Sequence, residues 1–283
     1  MRLHLPLPLL SSRVAIGCLF LCSLIFLSRH LSQHNVQTNN MAALSSLQFL
    51  TVAAKAKHTA TVIFVHGLGD SGLGWKPVAE MFGGDAALSH VKWVLPHAPV
   101  KPVTANGGYR MPSWFDIQSF DNFDPAEDEK GMLETVHSLN QLITAEVDVG
   151  IPADRIVLGG FSQGGAMSLL TGLTTERRLG GVAVLSGWLP LKAKFRAMMS
   201  EHAKQLPIFW GHGADDPLVR YAWAQRSVDY MKSELGIKIA DENAEKPVGL
   251  IFKTYPDLEH STDIQELRDF NAWLRKVIPE KAS

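Results

Sequence analysis

Gly160-Phe161-Ser162-Gln163-Gly164 is a G-x-S-x-G pentapeptide set between two apolar runs, and that setting restricts the fold more than any other feature of the chain. Before it, Arg155-Ile156-Val157-Leu158-Gly159 reads as a short buried strand. After it, Gly165-Ala166-Met167-Ser168-Leu169-Leu170 reads as the first turns of a buried helix. Strand, sharp turn and helix is the context that makes this pattern a nucleophile elbow, with the serine pushed out of the turn. The glycines are needed because the turn is strained: a side chain at Gly160 or Gly164 would crowd the backbone.

A serine hydroxyl is a weak nucleophile near neutral pH, so it needs a base, and the base needs an orienting group. On the α/β-hydrolase fold the chain order is Ser, then Asp or Glu, then His. Of the 11 histidines only His202, His212 and His260 follow Ser162. The run Leu206-Pro207-Ile208-Phe209-Trp210 reads as a strand, and it leads into Gly211-His212-Gly213-Ala214-Asp215-Asp216-Pro217, a glycine-rich turn carrying the acid. After that turn only His260 remains as the base. It stands between a strand-like run, 248–255, and an amphipathic helix in which Thr262 and Gln265 have capping-box spacing. Ile264, Leu267, Leu274 and Ile278 are expected to form that helix's apolar stripe. The residues leave Asp215 and Asp216 open as the acid.

Negative charge develops on the carbonyl oxygen during acyl transfer, so an oxyanion hole is required. One donor is expected from the backbone N–H of Gln163. The other is expected from the glycine-rich loop His66-Gly67-Leu68-Gly69-Asp70-Ser71-Gly72, which follows the strand-like Thr61-Val62-Ile63-Phe64-Val65. A phosphate-binding reading of this loop fails, because neither G-K-[ST] nor G-x-G-x-x-G is present.

Strand-like and helical runs alternate along the chain, which argues for a mostly parallel sheet with helices on both faces. At 283 residues and 46% hydrophobic composition, the region after the N-terminal leader suits one α/β domain. Met132, Val136, Leu139, Ile143 and Val147 recur at helical spacing, closed by Gly150 and Pro152. A net charge of −1 with no long basic run gives nucleic-acid binding no support. No Cys/His cluster suggests a metal, and isolated histidines such as His97 and His137 read as structural.

Six blocks resemble those of acyl-protein thioesterases, in the small serine-hydrolase family that also contains lysophospholipases and carboxylesterases. They are His66-Gly67-Leu68-Gly69-Asp70, Pro96-His97-Ala98-Pro99, Met111-Pro112-Ser113-Trp114-Phe115-Asp116, Gly159-Gly160-Phe161-Ser162-Gln163-Gly164-Gly165-Ala166, Leu185-Ser186-Gly187-Trp188-Leu189-Pro190-Leu191 and His212-Gly213-Ala214-Asp215-Asp216-Pro217-Leu218-Val219. The resemblance spans 59–278 and implies an α/β-hydrolase fold with a triad of Ser162, Asp216 and His260. It implies oxyanion donors at Leu68 and Gln163, no metal or cofactor, and hydrolysis of the thioester between a fatty acyl group, palmitate, and a protein cysteine. S-acylated proteins are then the partners, met transiently at a membrane surface. Oligomeric state stays open. The stretch 236–247 is longer than the family pattern.

A long acyl chain needs an apolar channel, for which Leu73, Trp75, Met111, Trp114, Phe115, Trp188 and Leu189 are the candidates. The alternatives are a carboxylesterase or lysophospholipase acting on oxygen esters and, more remotely, a hydrolase fold used as a binding module without turnover. An anchored interaction protein driven by the leader is a further alternative.

The N-terminus carries an apolar stretch at 14–27, broken only by Ser23 and short for a membrane span. It reads as an anchor, a targeting leader, or an extension ahead of a working start at Met41, and the last is the expectation. The domains are then 1–40 as leader and 41–283 as one catalytic domain. Both cysteines, Cys18 and Cys22, lie in the leader, which fits a reducing compartment. The expected location is cytoplasmic and nuclear, or membrane-anchored through 14–27 if the leader is retained, with Cys18 and Cys22 then open to acylation.

Overall fold

Strand residues alternate between the two faces of a sheet, and here both faces are apolar, so the inner strands feed two cores at once. A computed structural model describes residues 47–120 and 127–280; the expectations placed on the leader, including 14–27, Cys18, Cys22 and Met41, lie outside the described residues. Seven strands form one sheet: β1 (Phe49–Val52), β2 (Ala60–Val65), β3 (Val91–Pro96), β6 (Ile156–Phe161), β7 (Gly181–Leu185), β8 (Pro207–Gly213) and β9 (Gly249–Tyr255). Their spatial order is β1-β3-β2-β6-β7-β8-β9, and only β1 runs antiparallel to its neighbour. β4 (Val100–Val103) and β5 (Tyr109–Pro112) pair separately as an antiparallel hairpin.

Val62 and Phe64 of β2 join one core with Trp75 and Phe82 of α1 (Gly72–Gly83) and with Phe270 and Trp273 of α6 (Ile264–Val277). Ile63 and Val65, one residue out of phase, join the other core. There they meet Met132 and Leu139 of α2 (Glu129–Asp148), Met167 and Leu170 of α3 (Gln163–Thr174), and Val228 of α5 (Tyr221–Ser233). A short helix, α4 (Lys192–Met198), follows β7. The chain therefore has an α/β-hydrolase architecture, a mostly parallel sheet with helices on both faces.

α2 forms where the periodicity places it, opened by Asp128, whose side chain accepts from the Gly131 N–H, and left behind before Gly150. α6 corrects the sequence reading by one residue. Its N-cap is Asp263, which accepts from the Glu266 N–H, in place of the pair Thr262 and Gln265. Of the expected stripe, Leu274 and Ile278 are buried and Leu267 packs against the same core, while Ile264 is exposed; Phe270, Trp273 and Val277, which the sequence reading left out, complete the buried face beside Glu266. In 236–247, Ile239 bridges to Leu250 beside β9, and the Leu250 N–H donates to the Lys238 carbonyl.

The segments that carry candidate chemistry follow β2, β6, β8 and β9 directly. All leave the carboxyl edge of the sheet, where open α/β sheets bind their ligands.

Candidate active site

β6 ends at Phe161 and α3 begins at Gln163, so the whole reversal falls on Ser162. Ser162 adopts φ 54° and ψ −120°, a conformation few non-glycine residues hold. Two hydrogen bonds fix it: its N–H donates to the Leu185 carbonyl at 2.8 Å, and its carbonyl accepts from the Ala166 N–H at 3.0 Å. The glycines show why the pattern is needed. A Cβ at Gly160 would stand 2.5 Å from the Gly164 carbonyl and 2.7 Å from the Val65 oxygen, and one at Gly164 would run into the Val65 and His66 carbonyls.

The Ser162 hydroxyl donates to His260 Nε2 at 2.9 Å, and His260 Nδ1–H donates to Asp216 Oδ2 at 2.7 Å. The other Asp216 oxygen accepts from the Leu218 and Val219 N–H groups at 2.9 and 2.8 Å, which locks the carboxylate in its turn. Asp215, the alternative acid, is exposed. Asp216 is buried; Ser162 and His260 line a cavity, and the Phe161 ring packs 4.8 Å from the imidazole.

His212 lies behind the acid. Its Nε2–H donates to the Val219 carbonyl at 2.7 Å and stands 3.5 Å from Asp216 Oδ2, and burial keeps its pKa below the ordinary value. Chain order removes His212 as the base, and nothing in sequence reveals this supporting place.

Leu68 lines the same cavity as Ser162. Gln163 is the first residue of α3, so its N–H is one of the donors that a helix start leaves without an intrahelical acceptor. Its side chain has a separate job. Oε1 accepts from the Trp114 N–H at 2.9 Å, while Nε2 donates to Ser113 Oγ at 3.1 Å and to the Phe115 carbonyl at 2.8 Å. One buried amide thus ties segment 113–115 to the elbow.

The cavity encloses about 440 Å³. Of the residues expected to form an acyl channel, Phe115 and Trp188 line it, with their rings in edge contact at 6.1 Å. The other five do not. Trp75 is buried against Phe64 and Phe161, Leu189 is core, and Leu73 faces solvent. Met111 lies at the Gly69 turn, and Trp114 is fully buried with its Nε1–H donated to the His66 carbonyl at 2.8 Å. The walls the sequence did not reveal are Ile117, Phe120, Met132, Phe161, Leu218 and Trp223. They come from separated segments, so no local pattern groups them.

No group of three or more His, Cys, Asp or Glu side chains among the described residues is arranged to hold a metal. No helix among them is long and apolar enough to cross a membrane.

Residues 47–278 match the model of the phospholipase/carboxylesterase family. The chain is 53% identical over 238 residues to acyl-protein thioesterase 1 of Cryptococcus neoformans, covering 83% of this chain and 99% of the relative. It is 47% identical over 246 residues to acyl-protein thioesterase 1 of Mycosarcoma maydis, with the same coverage of 83% and 99%. The crystal structure of acyl-protein thioesterase 2 from Zea mays superposes with a TM-score of 0.70 at 29% identity, covering 82% of this chain and 99% of that one. A strained serine elbow at the carboxyl edge of the sheet and matches of this extent lead to one conclusion: the chain belongs to the phospholipase/carboxylesterase family of α/β hydrolases.

Proposed function

We propose that the protein is an acyl-protein thioesterase, a serine hydrolase that removes fatty acyl groups from S-acylated cysteines of proteins. The observation that carries this is the triad opening onto a mainly apolar cavity beside Ser162. The names of relatives covered nearly end to end support the thioester over the oxygen ester.

The chemistry follows from the geometry. Ser162 Oγ attacks the acyl carbonyl carbon as its proton passes to His260 Nε2, and Asp216 stabilises the imidazolium that forms. The Leu68 and Gln163 N–H groups receive the oxyanion, each contributing about 2.7–4 kcal/mol to lowering the barrier. The tetrahedral adduct collapses, the C–S bond breaks, and the cysteine sulfur leaves with the proton from His260. Water then attacks the acyl-enzyme with His260 as base, and the free fatty acid departs. Nothing in these steps calls for a metal or cofactor.

The cavity decides the acyl group. Each CH₂ moved from water into apolar surroundings contributes about 0.8 kcal/mol, roughly fourfold in binding, so a long chain is favoured over a short one by many such steps. The same reading has the enzyme meeting membrane surfaces transiently, where acylated cysteines reside. Both cysteines of the chain lie within 1–40, so the domain at 41–283 needs no oxidising compartment to fold, which supports a cytoplasmic and nuclear location.

The test compares kcat/KM of the full chain on a palmitoylated-cysteine peptide and on a matched short-chain oxygen ester, with Ser162→Ala as the blank. A strong Ser162-dependent preference for the peptide is the expected result. Activity confined to the short ester would make the protein a general carboxylesterase.

A further inference from the structure

Before the first glycine of the loop that supplies Leu68 stands a histidine that the triad does not use. His66 is fully buried, and both of its ring nitrogens are engaged. Nε2 lies 3.1 Å from the Ala98 backbone nitrogen, whose N–H can only donate, so Nε2 carries no proton. In the neutral ring the hydrogen is therefore on Nδ1, which lies 2.7 Å from the Gly67 carbonyl oxygen and donates to it. Burial lowers the His66 pKa, which keeps the ring neutral, although the hydrogen bond to the Gly67 carbonyl and, less, the nearby Asp70 carboxylate pull the other way.

The Gly67 carbonyl belongs to the same peptide unit as the Leu68 N–H. Among the described residues every peptide bond is trans, so the two groups point in opposite directions. Holding that carbonyl toward the imidazole turns the Leu68 N–H to the other side. Gly67 itself lies against the nucleophile, since a Cβ there would stand 3.4 Å from Ser162 Cβ. The histidine is braced in turn: Trp114 Nε1–H donates to the His66 carbonyl at 2.8 Å, and the indole packs 5.1 Å from the imidazole. Trp114 is tied through its own N–H to the Gln163 side chain, so both sides of the oxyanion hole share one buried network.

We propose that His66 is a positioning residue for the oxyanion hole: its Nδ1–H grips the Gly67 carbonyl and so aims the Leu68 N–H at the developing oxyanion. The inference rests on the acyl-transfer reading of the site, whether the substrate is a thioester or an oxygen ester. A competing explanation is available in the turn itself, because the Asp70 N–H also reaches the Gly67 carbonyl, at 3.3 Å. If that contact suffices, His66 only fills space.

Two substitutions separate the possibilities. In His66→Asn the side-chain amide nitrogen takes the place of Nδ1 and can donate to Gly67. In His66→Gln the polar end takes the place of Nε2 and can accept from Ala98, leaving Gly67 ungripped. His66→Gln is expected to lower kcat about 100-fold, the loss typical of one oxyanion donor, with KM changed less than threefold. His66→Asn is expected to retain kcat within about tenfold of the parent. Affinity for a long-chain boronic acid, which imitates the tetrahedral adduct, should fall with kcat, while affinity for free palmitate stays constant. Equal kcat losses in the two variants, or effects confined to KM or Tm, would overturn the proposal.

Both substrates are run for each variant. A parent enzyme active only on the oxygen ester removes the thioesterase reading and leaves the His66 comparison intact. If His66→Gln does not fold, ¹⁵N spectra of the parent imidazoles decide. A neutral Nδ1–H tautomer at His66 supports the grip, and an Nε2–H or doubly protonated ring at pH 7 refutes it.

Discussion

At the elbow, backbone meets backbone; one residue away, the cavity wall is side chain against side chain, drawn from distant segments. Around Ser162 the close neighbours of Gly160 and Gly164 are the main-chain carbonyls of Val65, His66 and Gly164, which have nowhere to go. Around the cavity the neighbours are rings and methionine, such as Phe115, Trp188, Trp223 and Met132, side chains whose size can be changed without touching the backbone. The difference teaches what each region can tolerate. The elbow works or fails as a unit, whereas the cavity can be altered by degrees, one substrate at a time.

The largest expected effect comes from breaking the elbow where no side chain can yield. In Gly164→Ala the new methyl meets the Val65 and His66 carbonyls. Overpacking of this kind costs about 1–3 kcal/mol and more where backbone must move. Turnover should fall at least about 1,000-fold on every ester, long or short, since a misplaced nucleophile and its oxyanion donor are lost together. Urea melts alongside kcat on two chain lengths check this. Near-parental turnover would mean the elbow is not the rigid unit described.

The two tryptophans then sharpen the comparison, because one belongs to each region. Trp114 is buried and supports His66, so Trp114→Ala should reduce kcat equally on long-chain and short-chain substrates and destabilise the fold by about 3–5 kcal/mol. Trp188 lines the cavity, so Trp188→Ala should weaken kcat/KM for a palmitoyl thioester about 10- to 100-fold while short esters change less than about threefold. A chain-length-selective loss at Trp114, or a uniform one at Trp188, would reverse their assignment.

This contrast also explains how much the sequence disclosed. The elbow was readable because its constraints lie within five consecutive residues and the strand and helix on either side. The histidine that meets Ser162 was readable because the chain order left only His260. The acid was not readable from residue type: Asp216 rather than Asp215 faces His260 because its turn offers the Leu218 and Val219 N–H groups, a matter of backbone path. The cavity was least readable. An aromatic in a functional block can line the site, as Trp188 does, or brace it from behind, as Trp114 does, and composition is the same in both cases. In α6 most of the apolar stripe was readable, as Leu267, Leu274 and Ile278 show, but the burial of Glu266 was not, since a carboxylate on a buried face runs against apolar periodicity.

Glu266 is also the place where a packed region departs from its own pattern, and it gives the smallest expected effect on turnover. Its side chain lies against Gly211 of β8, with neither carboxyl oxygen given a protein partner, although the region around it is as tightly filled as the elbow. Burial first, then the nearby Asp263, Asp216 and Asp269 carboxylates, push its pKa from 4.5 up to about 8. Between those values the folded protein holds a proton that the unfolded chain has released, so stability must fall as pH rises. The contribution is fully present below about pH 4.5 and is lost by about pH 8. The slope is at most about 1.4 kcal/mol per pH unit. Glu266→Gln keeps the shape and removes the titration. Its stability advantage over the parent should therefore be small at pH 5 and grow to about 2 kcal/mol or more at pH 8, with kcat within about twofold. Urea melts of both proteins across that range check it. Parallel stability curves would show that Glu266 does not titrate in the folded protein, and an advantage largest at pH 5 would show that it is buried as a carboxylate held by a charge partner.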